Sequence, residues 1–269
     1  MTEAPVAYPT NTALGRFGIA PIVDSPDPFV SSMPLTGLVN PLTGAPTIGP
    51  LAVLVDHAAG LVNHYRKAAD EWTLTSELTL ELTPDALAVV ADHPDVAAIA
   101  TARPTGDRGS SAALGCCEIT VGDAVIGTGT VRSVYIKRAG EHPTEWPPAV
   151  DAARPTGLAD IMALDVDDAN VFRQRKNSAL NNTLGIVHGG VSAAGLELAA
   201  SAVLNAERTT DLLHSASLRV NYLRPLFSGG EARYVATALR IGRRSGVAEA
   251  QAIGADGEVA LVGRVTAYA

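Results

Sequence analysis

The chain has only two cysteines, Cys116 and Cys117, and no long hydrophobic run. Adjacent cysteines in a strand-like segment are poorly placed for a mutual disulfide and have no metal-ligand spacing, so we expect buried, reduced thiols and no metal site. No apolar stretch approaches the ~18 residues of a membrane span, and the first residues, MTEAPVAYPTN, lack the basic and apolar parts of a signal peptide. The sequence therefore predicts a cytoplasmic protein with no membrane partner.

Basic residues are also scarce. The 269 residues include 20 Lys and Arg against 28 Asp and Glu, a formal charge of -8, and only 4% are aromatic. A nucleic-acid partner needs a basic face, which this composition does not indicate. With 47% hydrophobic residues the chain is typical of an acidic globular protein of one or two domains.

What the sequence does contain is an internal repeat at a constant offset of 141 residues. The offset pairs Asn40 with Asn181, Gly49 with Gly190, Asp56 with Glu197 and Pro84 with Pro225. Residues 74–84 (LTSELTLELTP) run beside residues 215–225 (SASLRVNYLRP) without a gap. Each copy is large enough to hold its own core, so we interpret the chain as two copies of one unit and not as a solenoid.

Hydrophobic periodicity changes in the same order in both copies. Apolar residues at helical spacing predict a largely buried helix over residues 50–69 and over 190–206. Four strands should follow each helix, the last two as a hairpin, and one short strand should precede it. This order favours an α+β unit in which a curved antiparallel sheet wraps one helix. We predict domains at 1–136 and 158–269, joined by a Pro-rich, charged connector at 137–157.

The second copy also carries a motif. Asn182 precedes His188-Gly189-Gly190, an acid follows nine places after the histidine, and YLRP comes later. This pattern resembles the hotdog thioesterases of the phenylacetate-pathway type across the whole second copy. The first copy resembles them more weakly, through its helix, its acid and the strand after it.

The resemblance implies a tandem, or double, hotdog that hydrolyses an acyl-CoA or acyl-carrier thioester. Coenzyme A would be part of the substrate, and no separate cofactor is implied. A single-copy hotdog protein ordinarily dimerises, and the fusion would supply that dimer within one chain. Such pseudo-dimeric chains could pair further into homo-oligomers.

The start of the second helix suits a developing negative charge. Glycines there let a substrate carbonyl approach free backbone N–H groups, and the helix dipole favours an anion. We therefore assign Gly189 as the oxyanion donor. Asn182 would steer the nucleophile or the carbonyl, and His188 would orient the loop or the substrate.

The catalytic acid should come from the other copy. Gly189 and Glu197 are eight residues apart, which is ~12 Å along a helix and too far for both to contact one thioester carbon. If the helices pack antiparallel about a pseudo-twofold axis, Asp56 faces Gly189. In the family the acid likewise comes from the partner subunit. We expect Asp56 to activate water or to attack the thioester directly.

A mirror site would join Glu197 and Ser215 to the first loop, whose residues are Pro41, Thr47, Ile48 and Gly49. This loop has lost the asparagine, and Ile48 replaces the first glycine of the motif. Ser215 lies where the family often has a catalytic-site hydroxyl, whereas its counterpart at the same offset is Leu74. The sequence therefore favours the Asp56 site, because a backbone donor is harder to replace than a hydroxyl.

Three arginines at a predicted strand end, Arg240, Arg243 and Arg244, are candidates for binding the phosphates of coenzyme A. They also fit a solvated hairpin with no ligand. Two other functions stay open: a hydratase or dehydratase acting on enoyl thioesters, and a non-catalytic protein that binds acyl thioesters. His188 followed by two glycines fits the thioesterase pattern better than the hydratase pattern.

Overall fold

The structure is a computed structural model that describes residues 8–109, 111–137, 148, 150, 153–167 and 171–269. The elements of the first half are α1 (Ala13–Phe17), β1 (Ala20–Val23), β2 (Phe29–Met33), α2 (Leu51–His64), β3 (Glu71–Leu82), α3 (Ala86–Asp92), β4 (Ala98–Thr105), β5 (Ala112–Val121) and β6 (Ala124–Lys137). Those of the second half are α4 (Leu158–Ile161), β7 (Leu164–Asp167), β8 (Val171–Gln174), a 3-10 turn (Ser178–Leu180), α5 (Gly189–Asn205), β9 (His214–Tyr222), β10 (Arg233–Ile241), β11 (Ser245–Ile253) and β12 (Val259–Tyr268).

The two long helices, α2 and α5, form the centre of the molecule. Both are apolar on nearly every side, and most of their residues are buried under the sheet. The predicted first helix extended to residue 69, but α2 ends at His64. Ala68 and Ala69 are exposed, so no packing supports further helical turns there.

The twelve strands found in the described residues form one sheet, in the order β1-β2-β4-β5-β6-β3-β9-β12-β11-β10-β8-β7. The halves meet where β3 and β9 pair antiparallel, with Leu78 opposite Val220 and Leu80 opposite Leu218. The prediction of an α+β fold with four strands after each helix is confirmed. Within the part of the chain that the structure describes, two short strands, and not one, precede each long helix.

Glycines allow α2 and α5 to approach closely. A Cβ atom on Gly190 would lie 2.5 Å from the Cα atom of Val53, and one on Gly49 would lie 2.0 Å from Oε2 of Glu197. A larger residue at Gly190 would have to move the backbone of α2, whereas one at Gly49 would displace the Glu197 side chain. The start of each helix therefore lies beside the middle of the other, as the sequence predicts.

Both cysteines lie in β5 as free thiols. Cys117 is buried, and burial raises its pKa to about 12, which keeps it in the unreactive thiol form. Cys116 is partly exposed.

Much of the predicted connector, at 138–147, 149 and 151–152, lies outside the described residues, so its boundaries stay a prediction. Within the described ranges, no helix combines the length and apolarity needed to cross a membrane.

Candidate active site

Asp56 lies in the middle of α2 with its carboxylate turned toward α5. Its side chain is only 6% exposed. Oδ2 accepts a hydrogen bond from the Gly190 N–H at 2.7 Å, and Oδ1 accepts one from the Thr75 hydroxyl at 2.8 Å. A helix start and a strand therefore fix the carboxylate from opposite sides.

Gly189 is the first residue of α5, where backbone N–H groups have no partner inside the helix. Its N–H donates to no residue in the described part of the chain. A Cβ atom at this position would lie 2.8 Å from Oδ2 of Asp56. The Tyr222 hydroxyl donates to the Gly189 carbonyl at 2.9 Å, which helps to fix this peptide. A free donor and a carboxylate thus lie side by side.

His188 is the N-cap of α5. Its Nδ1 accepts the Gly190 N–H at 3.2 Å and lies 3.3 Å from Oδ2 of Asp56. Burial lowers the pKa of His188, outweighing the opposite effect of Asp56. The ring is therefore neutral at physiological pH, and its Nδ1 lies beside the N–H group that also bonds Asp56. His188 thus caps the start of α5, and its predicted role in orienting the loop or the substrate stays a prediction.

Asn182 shapes the loop that leads to α5. Its Oδ1 accepts hydrogen bonds from the N–H groups of Leu184 at 2.9 Å and Ile186 at 3.4 Å. The residue also lines the cavity beside Asp56. Its side-chain amide remains available to a ligand, since it donates to none of the described residues.

A cavity of about 700 Å³, here the Asp56 cavity, opens beside Asp56 and Gly189. This volume is in the range of ~300 to 1,000 Å³ that is usual for small-molecule sites. Five ring-bearing side chains are among its lining residues: Tyr8, His57, His64, Tyr65 and Trp72. The loop before α5 and the end of β9 also line it.

The mirror site is assembled but has almost no space. Glu197 is 2% exposed, and it accepts hydrogen bonds from Ser215 at 2.5 Å and Thr47 at 3.1 Å. Burial raises its pKa, opposed by these hydrogen bonds. The adjoining cavity, here the mirror cavity, holds about 30 Å³ and is lined in part by Ile48. Pro50 supplies no N–H at the start of α2.

The structure places Arg240, Arg243 and Arg244 in and after the end of β10, exposed to solvent. The turn between β10 and β11 lies near Leu204, at the far end of α5 from Gly189. None of the three arginines lines the Asp56 cavity, so a phosphate contact there is not supported. Among the described lining residues, Arg224 is the one arginine or lysine.

Thr75 and Tyr222 were not identified from the sequence. The offset of 141 aligns Ser215 with Leu74, but the hydroxyl that bonds Asp56 comes from Thr75. The pairing of β3 with β6 shifts between Thr75 and Glu77, and the pairing of β9 with β12 shifts between Ser215 and Ser217. Both acids therefore keep a hydroxyl partner, and the predicted loss of this hydroxyl from the first copy is wrong. Tyr222 begins the YLRP motif, which was the available signal.

No group of three or more His, Cys, Asp or Glu side chains that could hold a metal ion occurs in the described ranges. The site instead offers a fixed carboxylate, a free N–H at a helix start and an amide. This set can activate water and stabilise a negative oxygen.

Residues 184–261 match the model of the Thioesterase superfamily. The matched segment contains α5 and most of the sheet of the second half. No curated protein matches the chain.

Solved structures are similar over nearly the whole chain. A tesB protein from Mycobacterium avium subs paratuberculosis superposes with a TM-score of 0.60 at 11% identity, covering 95% of this chain and 97% of that one. The acyl-CoA thioesterase II TesB2 from Mycobacterium marinum gives 0.57 at 11% identity, covering 89% and 90%. A protein with a hot dog fold from Alicyclobacillus acidocaldarius gives 0.51 at 14% identity, covering 93% and 95%. The fold is therefore a double hotdog.

Proposed function

We propose that the chain is a thioester hydrolase that acts on an acyl-CoA at the Asp56 site. The observation that carries the proposal is the pairing of a hydrogen-bonded Asp56 carboxylate with the free Gly189 N–H in a cavity of about 700 Å³. The superfamily match over residues 184–261 supports the reaction class.

The proposed reaction starts with a water molecule held between Asp56 and the thioester carbonyl. Asp56 takes a proton from water as the hydroxide adds to the carbonyl carbon. The carbonyl oxygen becomes negative and accepts a hydrogen bond from the Gly189 N–H. The carbon–sulfur bond then breaks, the thiolate leaves, and the proton held by Asp56 passes to sulfur. Direct attack by Asp56 would instead expel the thiolate and form an anhydride, and attack of water on the aspartyl carbonyl of that anhydride would place solvent oxygen in the Asp56 carboxylate.

The supporting residues hold this geometry. Thr75 and the Gly190 N–H keep the carboxylate facing the carbonyl, and the neutral His188 caps the same turn. Nδ1 of His188 contacts the Gly190 N–H, which ties the ring to the start of α5. The succession of His188, Gly189 and Gly190 favours hydrolysis over hydration.

Free-thiol release from a panel of short, long and aromatic acyl-CoAs tests the proposal with wild type, Asp56→Asn and Glu197→Gln. We expect Asp56→Asn to lower kcat by ~10²- to 10⁴-fold, the usual contribution of a general base, with affinity for acyl-CoA retained. Glu197→Gln should keep at least half of the activity, because the mirror cavity of about 30 Å³ cannot hold a substrate.

Other outcomes would contradict the proposal in distinct ways. Loss of activity in Glu197→Gln alone would move the reaction to the mirror site. Binding without thiol release in wild type would favour a non-catalytic acyl-thioester protein, and hydration without thiol release would favour a hydratase.

Finer assignments are also proposals. The pattern of Asn182, His188 and Gly189 supports the phenylacetate-pathway type for the second half, whereas the whole chain has the fold of the tesB structures. Residence in the cytoplasm and assembly into larger homo-oligomers stay predictions from the sequence.

A further inference from the structure

Gly60 is a glycine inside α2 that no close packing requires. A Cβ atom added there would meet only Cγ1 of Val131, at 4.0 Å. Gly190, in contrast, would place its Cβ 2.5 Å from a backbone atom of α2. Glycine in a helix interior is unfavourable, so its presence at an open position needs another reason. Gly60 lines the Asp56 cavity, and any side chain there would enter that space.

The position equivalent to Gly60 in the second half carries a side chain. At the offset of 141 residues, Gly60 corresponds to Ser201 of α5. The Ser201 hydroxyl accepts a hydrogen bond from Nδ2 of Asn40 at 2.8 Å, and Asn40 is 1% exposed. Both residues line the mirror cavity of about 30 Å³. The counterpart of Asn40 is Asn181, whose Oδ1 is buried and accepts no hydrogen bond from the described residues.

The open space runs along α2 from Asp56 toward its end. Asp56, Gly60 and His64 are spaced four residues apart, so they share one helix face, and all three line the cavity. On the opposite wall β3 runs in the reverse direction: Thr75 bonds Asp56, while Trp72 packs edgewise on His64 with ring centroids 4.8 Å apart. We call this part of the cavity the α2 arm.

The α2 arm has a definite length and is uncharged along most of it. From Asp56 to His64 it extends ~12 Å. An extended chain advances ~1.2 Å per bond, so the arm accepts about ten carbons. Burial lowers the pKa of His57 to about 3 and of His64 to about 4, so both rings are neutral at pH 7. Among the described lining residues, Asp24 is the charged side chain of this part apart from Asp56, and it would repel a second carboxylate; Lys67, which is not a lining residue, acts on His64 at the end of the arm.

Building on the proposed hydrolase function, we infer that the acyl group of the substrate lies along the α2 arm and that Gly60 determines the longest acyl group accepted. The favoured substrate is an uncharged, medium-length acyl thioester. Its thiol portion leaves on the opposite side, toward Arg224.

The test compares kcat/KM for acetyl-, butyryl-, hexanoyl-, octanoyl- and decanoyl-CoA, together with succinyl-CoA, in wild type, Gly60→Leu and Ser201→Ala. Leucine is a good helix former, so the Gly60→Leu protein should fold. A cooperative thermal unfolding transition would verify that it does. Ser201→Ala is the control change at the equivalent position of α5. Each methylene kept out of an apolar site costs about a factor of four in binding.

We expect Gly60→Leu to lower the octanoyl-to-acetyl ratio of kcat/KM by ~10-fold or more, since leucine displaces at least two methylenes. Ser201→Ala should leave this ratio unchanged, and succinyl-CoA should be the poorest substrate of wild type. A folded Gly60→Leu protein with an unchanged ratio, or with equal loss for every acyl length, would overturn the inference.

A second measurement separates this inference from the proposed reaction. If the wild-type protein releases no thiol from any of these acyl-CoA thioesters, the hydrolase proposal fails. The octanoyl-to-acetyl affinity ratio from calorimetry then tests the α2 arm alone: a fall in Gly60→Leu supports it, and an unchanged ratio overturns it.

Discussion

Alanine at two adjacent glycines of α5 should affect different properties of the protein, the activity for Gly189 and the stability for Gly190. In Gly189→Ala the new Cβ would lie 2.8 Å from Oδ2 and 3.3 Å from Cγ of Asp56, so it meets the end of a side chain. In Gly190→Ala the Cβ would lie 2.5 Å from Cα of Val53 and 2.7 Å from the carbonyl oxygen of Ala52, so it meets the backbone of α2. A carboxylate can rotate away from such a contact, whereas two packed helices must separate.

These contacts set the expected magnitudes. Gly189→Ala should displace Asp56 from the free N–H and lower kcat by ~10²- to 10³-fold, comparable to the loss of one oxyanion donor. Its free energy of unfolding should change by less than about 1 kcal/mol, because alanine is favourable near a helix start. Gly190→Ala should lose ~1 to 3 kcal/mol of stability or more, the usual cost of overpacking a core.

Thiol release and urea unfolding measured on the same preparations distinguish the two effects. The reasoning would be refuted if Gly189→Ala kept wild-type kcat. It would also be refuted if Gly190→Ala were as stable as wild type, because the close approach of α2 and α5 would then be incorrect.

Two further predictions concern pH and the thiol side of the substrate. Burial, and then the proximity of His188, lowers the pKa of His57 to about 3 in the folded protein. The neutral ring therefore contributes its full stability above the unfolded-state pKa of ~6.5, and this contribution is lost as the pH falls toward the folded-state pKa. Between pH 7 and pH 5 this histidine should lower the free energy of unfolding by ~2 kcal/mol. Urea unfolding at the two pH values should therefore show a smaller loss of stability in His57→Asn than in wild type, and the wild-type loss in a variant of the exposed His93. Equal losses in the two variants would contradict the assignment. Arg224→Ala should raise KM for acyl-CoA by ~3- to 10-fold with kcat unchanged, while a thioester of N-acetylcysteamine should be unaffected. A rise in KM for Arg243→Ala instead would support the phosphate site predicted from the sequence.

The central pairing of the site could be predicted from the sequence because it depends on few quantities. The constant offset identifies two equivalent helices, and the rise per residue excludes Glu197 as the partner of Gly189. The antiparallel crossing then leaves Asp56, and the structure places it there with a 2.7 Å hydrogen bond to Gly190.

Other features depend on details that periodicity does not contain. A β-bulge inserts a residue without changing the pattern of neighbouring strands, so the partner of Asp56 was aligned as Leu74 and not as Thr75. The mirror cavity contains contacts that the periodicity does not indicate, such as the bond between Asn40 and Ser201. The position of Arg243 depends on which end of the sheet its turn occupies.

Because β3 and β9 pair as parts of one chain and not of two identical subunits, the two sites of this molecule can evolve separately. In a homodimer made from one gene, each mutation appears in both subunits and alters both sites at once. Here each substitution appears once, so Ile48 and Pro50 could enter one loop while the glycines of the other remained. One half can then accumulate substitutions that fill its site, while the other half keeps an open site. We expect each chain to bind one acyl group.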